Sequence, residues 1–165
     1  MMVIENITSK SFRSFGRVIE YPNKHKKGNR RNLWRIVLTD SNAQGWRIAY
    51  LVLRNKILNR LESHPNTFES FEPVSGKSLF FVSSRKSPQK IRLFALNKPV
   101  ILKKGVWHGL VSLTAESEIK ITENAKVICR YYPLTKLMKT KISNQILSSK
   151  RPKRSIKNLG RIHVS

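Results

Sequence analysis

Leu61-Glu62-Ser63-His64-Pro65-Asn66-Thr67-Phe68-Glu69-Ser70-Phe71-Glu72-Pro73 reads as strand, turn, strand. Side chains two apart on a strand share a face. Glu62 and His64 therefore project together, and Leu61 and Ser63 turn the other way. Pro65-Asn66-Thr67 makes the turn, because proline presets φ and asparagine tolerates unusual backbone angles. Glu69 then returns on the next strand, close to His64. A shorter run downstream, Lys104-Gly105-Val106-Trp107-His108, brings a second imidazole. The expectation is one wall carrying Glu62, His64, Glu69 and His108, with Arg60 on the same face as Glu62 and His64.

Outward from this stretch the chain is a series of short β-compatible runs. Residues 46–53 are rich in β-branched and aromatic side chains and read as a buried strand, although a helical period over 51–61 stays open. Further strands are expected at 57–64, 68–72, 79–83, 91–96, 100–102, 106–113, 118–122 and 126–132. A short strand is expected near Val18, and residues 33–38 are β-compatible. Glycine, proline and asparagine break the runs at roughly even spacing, which predicts an all-β sandwich or barrel over residues 1–134. Tyr50, Phe71 and Phe81 are expected in its core. After Pro133-Leu134 the pattern changes. Residues 135–147 read as a short helix, and 148–165 carry many charges and few large apolar groups, as a disordered basic tail does.

The chain's 165 residues suit one domain plus that tail, and 39% hydrophobic content is enough for a core. Thirty-three Lys and Arg face nine acids, for a net charge of +24. Such a balance favours polyanions or small acidic ligands. Nine of the basic residues lie from Lys136 onward, with no acid among them. Residues 24–31 form a second basic run, expected as an exposed loop. The tail has no Phe, Tyr or Trp to stack on bases, so it predicts only weak, salt-sensitive, non-specific nucleic-acid contact. The lone Cys129, placed in an apolar strand and inert there, excludes an internal disulfide and a cysteine zinc cluster. It suits a reducing, cytoplasmic setting. Residues 1–10 show no secretory pattern, and the longest apolar run, 48–53, is too short to span a bilayer, so no membrane partner is expected.

The spacing Glu62-x-His64-x4-Glu69-x6-Gly76, followed by Gly105-x-x-His108, resembles the two-part signature of the cupins. That resemblance implies a double-stranded β-helix, a small β-barrel or jelly roll. It also implies a divalent metal (zinc, manganese, iron or nickel) on His64, Glu69 and His108, with Glu62 at the family's first histidine position. Imidazole and carboxylate donors suit all four ions.

A narrower resemblance is carried by Leu61-Glu62-Ser63-His64-Pro65, Phe71-Glu72-Pro73, Arg92-Leu93-Phe94-Ala95, Gly105-Val106-Trp107-His108 and the opening Phe12-Arg13-Ser14-Phe15-Gly16-Arg17-Val18-Ile19-Glu20. Across about residues 10–132 the chain resembles ureidoglycolate lyase. The family implies a homodimer that splits ureidoglycolate into glyoxylate and urea in allantoin degradation, a branch of purine catabolism. His64 or His108 would then act as base and Glu62 or Glu69 as acid. Arg60 would anchor the substrate carboxylate, beside Trp107 and Phe71. Three positions depart from the family: Ser63 replaces an arginine, Glu69 a glutamine, and Gly109 a second histidine. The alternatives are a non-catalytic cupin that binds or senses a small acid, and a basic accessory protein of nucleic acid.

Overall fold

Twelve elements are present among the described residues, 2–21 and 34–139, of the computed structural model. In chain order they are β1 (Ile4–Asn6), α1 (Ser9–Phe12), β2 (Gly16–Val18), β3 (Arg47–Leu53), β4 (Ile57–Ser63), β5 (Glu69–Ser75), β6 (Ser78–Ser83), β7 (Arg92–Ala95), β8 (Val100–Leu102), β9 (Trp107–Ser112), β10 (Ser117–Glu123) and β11 (Arg130–Lys139). The eight strands β3 to β10 form one long nested ribbon. β3 pairs with β10, β4 with β9, β5 with β8, and β6 with β7, all antiparallel.

Rolled up, that ribbon gives two sheets, β2-β8-β5-β10-β3 and β1-β7-β6-β9-β4-β11. This nesting is the jelly roll, or double-stranded β-helix, expected from the sequence. β1 adds to the second sheet in parallel with β7. The Arg92 guanidinium of β7 pairs with the Glu5 carboxylate there.

Alternation along the strands divides the apolar side chains into two layers. Phe71, Phe80, Val82, Phe94, Val100, Leu102 and Ile119 come from both sheets and pack between them. Leu61, Leu79, Phe81, Leu93 and Val111 all belong to the six-stranded sheet and form a second layer on its other face. β6 is buried along its whole length because it serves both. Each of these large side chains contributes roughly 1.5–3 kcal/mol by leaving water. α1 is a single turn closed by a reciprocal cap between Thr8 and Ser11. It sets Phe12 into the inner layer, edge-on to Phe94 at 5.4 Å.

Several expectations need correction. Residues 46–53 are not a buried strand. β3 is an edge strand with one face in water, where Ile48 and Tyr50 are more than half exposed. Tyr50 is thus outside the core, its phenol donating to Glu118. Residues 34–38 form no strand. Cys129 is exposed and lies before β11 rather than within a strand, because the ladder with β4 begins at Arg130 opposite Ser63. The helix expected from Thr135 is replaced over 135–139 by the end of β11, where Met138 pairs with Leu58. The rest of that helix, the basic tail and the basic run at 24–31 lie outside the described residues. No helix among the described residues is long and apolar enough to cross a membrane.

Candidate active site

β4 and β5 lie in opposite sheets, so the turn between them crosses the barrel end. His64 follows β4 directly, and Glu69 opens β5. His108 sits on β9, paired across the ladder with Glu62 on β4. Both sheets thus deliver side chains to one point. His108 Nε2 is 3.2 Å from Glu69 Oε2 and 3.6 Å from Glu62 Oε1. His64 Nε2 is 3.6 Å from Glu69 Oε2, and the two imidazole rings are 5.2 Å apart. His64, Glu69 and His108 are buried, whereas the Glu62 side chain is 45% exposed.

The other ring nitrogens fix the tautomers. His64 Nδ1–H donates to the Ile128 carbonyl at 3.3 Å, and His108 Nδ1–H donates to the Val106 carbonyl at 3.2 Å. A carbonyl oxygen only accepts, so in each neutral ring the proton is on Nδ1 and the Nε2 lone pair faces the site. The segment that orients His64 is itself held by Asn66. Its amide donates to the Lys126 carbonyl and accepts from Ile128 N, both at 2.9 Å. His108 is wedged against Phe71, ring to ring at 5.3 Å.

A divalent ion fits this donor set on two counts. Ligands about 2.1 Å from a shared metal stand roughly 3.0–3.4 Å from one another, in tetrahedral or octahedral geometry. The two separations from Glu69 Oε2, 3.2 Å to His108 Nε2 and 3.6 Å to His64 Nε2, are close to that range. Moreover, His108 Nε2 and Glu69 Oε2 are buried without an aligned hydrogen bond. Unsatisfied buried polar atoms are costly unless something else binds them. Glu62, His64 and His108 also place one donor atom each within 4.8 Å of one another.

Electrostatics prepare His108 in a second way. Burial by itself lowers the imidazole pKa. The nearby Glu69 carboxylate, and beyond it Glu62, outweigh burial, so the net shift is upward from 6.5. Without a metal, His108 is the cationic partner of Glu69 over a wider pH range than an ordinary histidine.

A cavity of about 460 Å³ opens between β3, β4 and β9. Leu51, Leu53 and Leu110 give it an apolar wall, and Arg60, Glu62 and His108 a polar one. Arg60 is exposed and lies over the Tyr131 ring at 4.5 Å. Phe71 supports His108 from within the core and is only 1% exposed, so it shapes the site rather than facing a ligand. Trp107 does not join the site. It alternates with His108, packs on the outer layer beside Tyr132, and donates its indole N–H to the Arg85 carbonyl.

The family departures also find their places. Ser63 is buried on the side away from Glu62. Gly109 pairs with Phe81 of the outer layer, and a Cβ there would stand 2.7 Å from Leu58 Cδ1. A side chain at 109 would thus run into Leu58, although Gly109 itself lines the cavity. Gly109→Ala is expected to destabilise the fold by about 1–3 kcal/mol through overpacking, measured by denaturant unfolding.

Sequence reasoning missed Glu123. It ends β10, is buried, and accepts from Arg47 Nε and Nη2 at 2.9 and 2.7 Å on a single oxygen, Oε1. Its sequence neighbourhood, Glu123-Asn124-Ala125, reads only as a turn.

No family model matches the chain, and no curated protein matches it. Solved structures that resemble it include a mutant of Bacillus subtilis oxalate decarboxylase (18% identity, TM-score 0.43, covering 55% of this chain and 24% of that one). Pumpkin pro-11S globulin is similar over 52% of this chain and 23% of that one, at 10% identity and TM-score 0.44. The QdtA 3,4-ketoisomerase of Thermoanaerobacterium thermosaccharolyticum, solved with TDP, is similar over 47% of this chain and 57% of that one, at 16% identity and TM-score 0.40. The chain spans about a quarter of the decarboxylase's length. The fold class rests on the nested strand pairing described above, that of a double-stranded β-helix, and not on these likenesses.

Proposed function

We propose that this chain is a cupin enzyme acting on a small hydroxy or oxo acid, with ureidoglycolate the first substrate to test. The observation that supports it is the convergence of His64 Nε2, His108 Nε2 and Glu69 Oε2 beside a cavity that also exposes Glu62 and Arg60. His64, His108 and Glu69 would hold a divalent cation, manganese, iron, nickel or zinc by donor type. When bound, such an ion polarises a substrate oxygen as a Lewis acid.

The protein's own residues do the rest. Arg60, at the cavity wall, pairs with the substrate carboxylate. Glu62 is the carboxylate of the group most open to the cavity, so it is assigned to proton transfer rather than to the ligand set. It takes the proton from the hydroxyl of the carbinol carbon, whose O–H electrons become the second C–O bond of the aldehyde. The C–N bond breaks, its electron pair stays on the urea nitrogen, and Glu62 returns the proton there. The products are glyoxylate and urea, and no proton is gained or lost. Leu51, Leu53 and Leu110 limit water at the reacting centre.

The test is release of urea and glyoxylate from ureidoglycolate by the protein loaded with each ion in turn. No turnover with any ion, together with tight binding of glyoxylate, would turn the reading to a non-catalytic acid binder.

The pH dependence follows from His108. Its raised pKa means that a metal must displace a proton there, so ion affinity rises with pH until the raised value is passed and levels off above it. For the metal-free protein the sign is opposite. A pKa raised on folding contributes stability that is complete below 6.5 and is lost as pH climbs through the folded value. Thermal unfolding with a chelator should therefore decline across that window, and with saturating metal it should not.

A further inference from the structure

The inner side of this site holds more negative charge than the ligand set above explains. The β5–β10 register pairs Thr122 with Ser70. Continued one step past that last pair, the register sets Glu123 opposite Glu69. Two carboxylates facing each other across a ladder repel, and here both side chains are only 7% exposed. Arg47 binds only Oε1 of Glu123, and Oε2 is buried with no hydrogen-bond partner; Oε2 of Glu69 also lacks an aligned hydrogen bond and has only the two imidazoles near it. One donor atom each from His64, Glu69 and Glu123 lie within 4.8 Å of one another. In a chain with nine acids against thirty-three basic residues, placing two of the nine face to face in the interior asks for a resident cation.

We propose that Glu123 is a further ligand of the ion held by His64, His108 and Glu69. The inference rests on the metal reading above. His64 has a single nitrogen to offer, because Nδ1 is bonded to the Ile128 carbonyl. The groups that contain His64 therefore serve one ion rather than two. With Glu123 the set becomes two imidazoles and two carboxylates, which balances a divalent charge. Arg47 is then a positioning residue that fixes the Glu123 carboxylate by one oxygen and leaves the other for the ion.

The experiment is calorimetric titration of the metal-free full chain with Mn²⁺, for the wild type, Glu123→Gln and Arg47→Gln. Thermal unfolding without metal checks the fold of each. The expected result is a loss of affinity of roughly tenfold or more for Glu123→Gln and less than about threefold for Arg47→Gln. Wild-type affinity in Glu123→Gln would overturn the inference and leave the three-ligand site standing. Equal losses in both variants would also overturn it, since Glu123 would then act only through its pairing with Arg47. If the wild type takes up no Mn²⁺ at all, the metal reading falls and this inference with it. Should Glu123→Gln not fold, Glu123→Asp, which keeps the charge but withdraws the oxygen, is titrated in its place. A tenfold loss there supports the ligand role, and wild-type affinity overturns it.

Discussion

His108→Ala is expected to weaken divalent-ion binding by more than about a hundredfold, beyond the 10–100-fold typical of losing an outer partner. His108 stands between the two carboxylates of the site, 3.2 Å from Glu69 and 3.6 Å from Glu62. Its Nδ1–H bond to the Val106 carbonyl and its contacts with Phe71 and Phe80 leave the ring little freedom to turn away. Removing it deletes a ligand that is already aimed. It also leaves Glu69 buried without its cationic neighbour, so the metal-free variant should lose on the order of 3–5 kcal/mol of stability. Mn²⁺ titration and chemical unfolding read the two effects separately. A variant that binds Mn²⁺ like the wild type would remove His108 from the ligand set.

Glu62→Gln is the second large effect. The substitution keeps the size of the side chain and removes both its charge and its capacity to carry a proton. Because the Glu62 side chain is 45% exposed and faces the cavity, the fold should be untouched. Urea release from ureidoglycolate should fall roughly 10²–10⁴-fold, the usual worth of a general acid–base group. Mn²⁺ affinity should change only a few-fold. The opposite pattern, intact turnover with lost metal, would make Glu62 a ligand and return proton transfer to another group.

Much of this is legible in the sequence, for local reasons. Strand alternation around 57–73 puts Glu62 and His64 on one face, and Pro65-Asn66 announces the crossing to β5. Turn residues mark most strand positions. The nested pairing is not legible, because it depends on contacts between distant strands. Spacing alone therefore cannot show that His108 pairs opposite Glu62.

The outward position of Trp107 needs only the period-two rule, since neighbours on one strand point to opposite faces. Residues 46–53 carry no sign of their exposed face, because a β-branched run does not reveal which strand becomes the edge. At Thr135 the apolar spacing suits helix and strand alike, and pairing with β4 decides it. Glu123 carries one faint signal, the scarcity of acids, in a stretch that otherwise looks like a turn.

The most direct test of the central claim is an anomalous difference map from crystals of the protein equilibrated with Mn²⁺. A metal centre on these residues gives a single strong peak about 2.0–2.3 Å from His64 Nε2, His108 Nε2 and a Glu69 oxygen. Peaks confined to exterior carboxylates, with those three side chains unliganded in the same crystal, would contradict it.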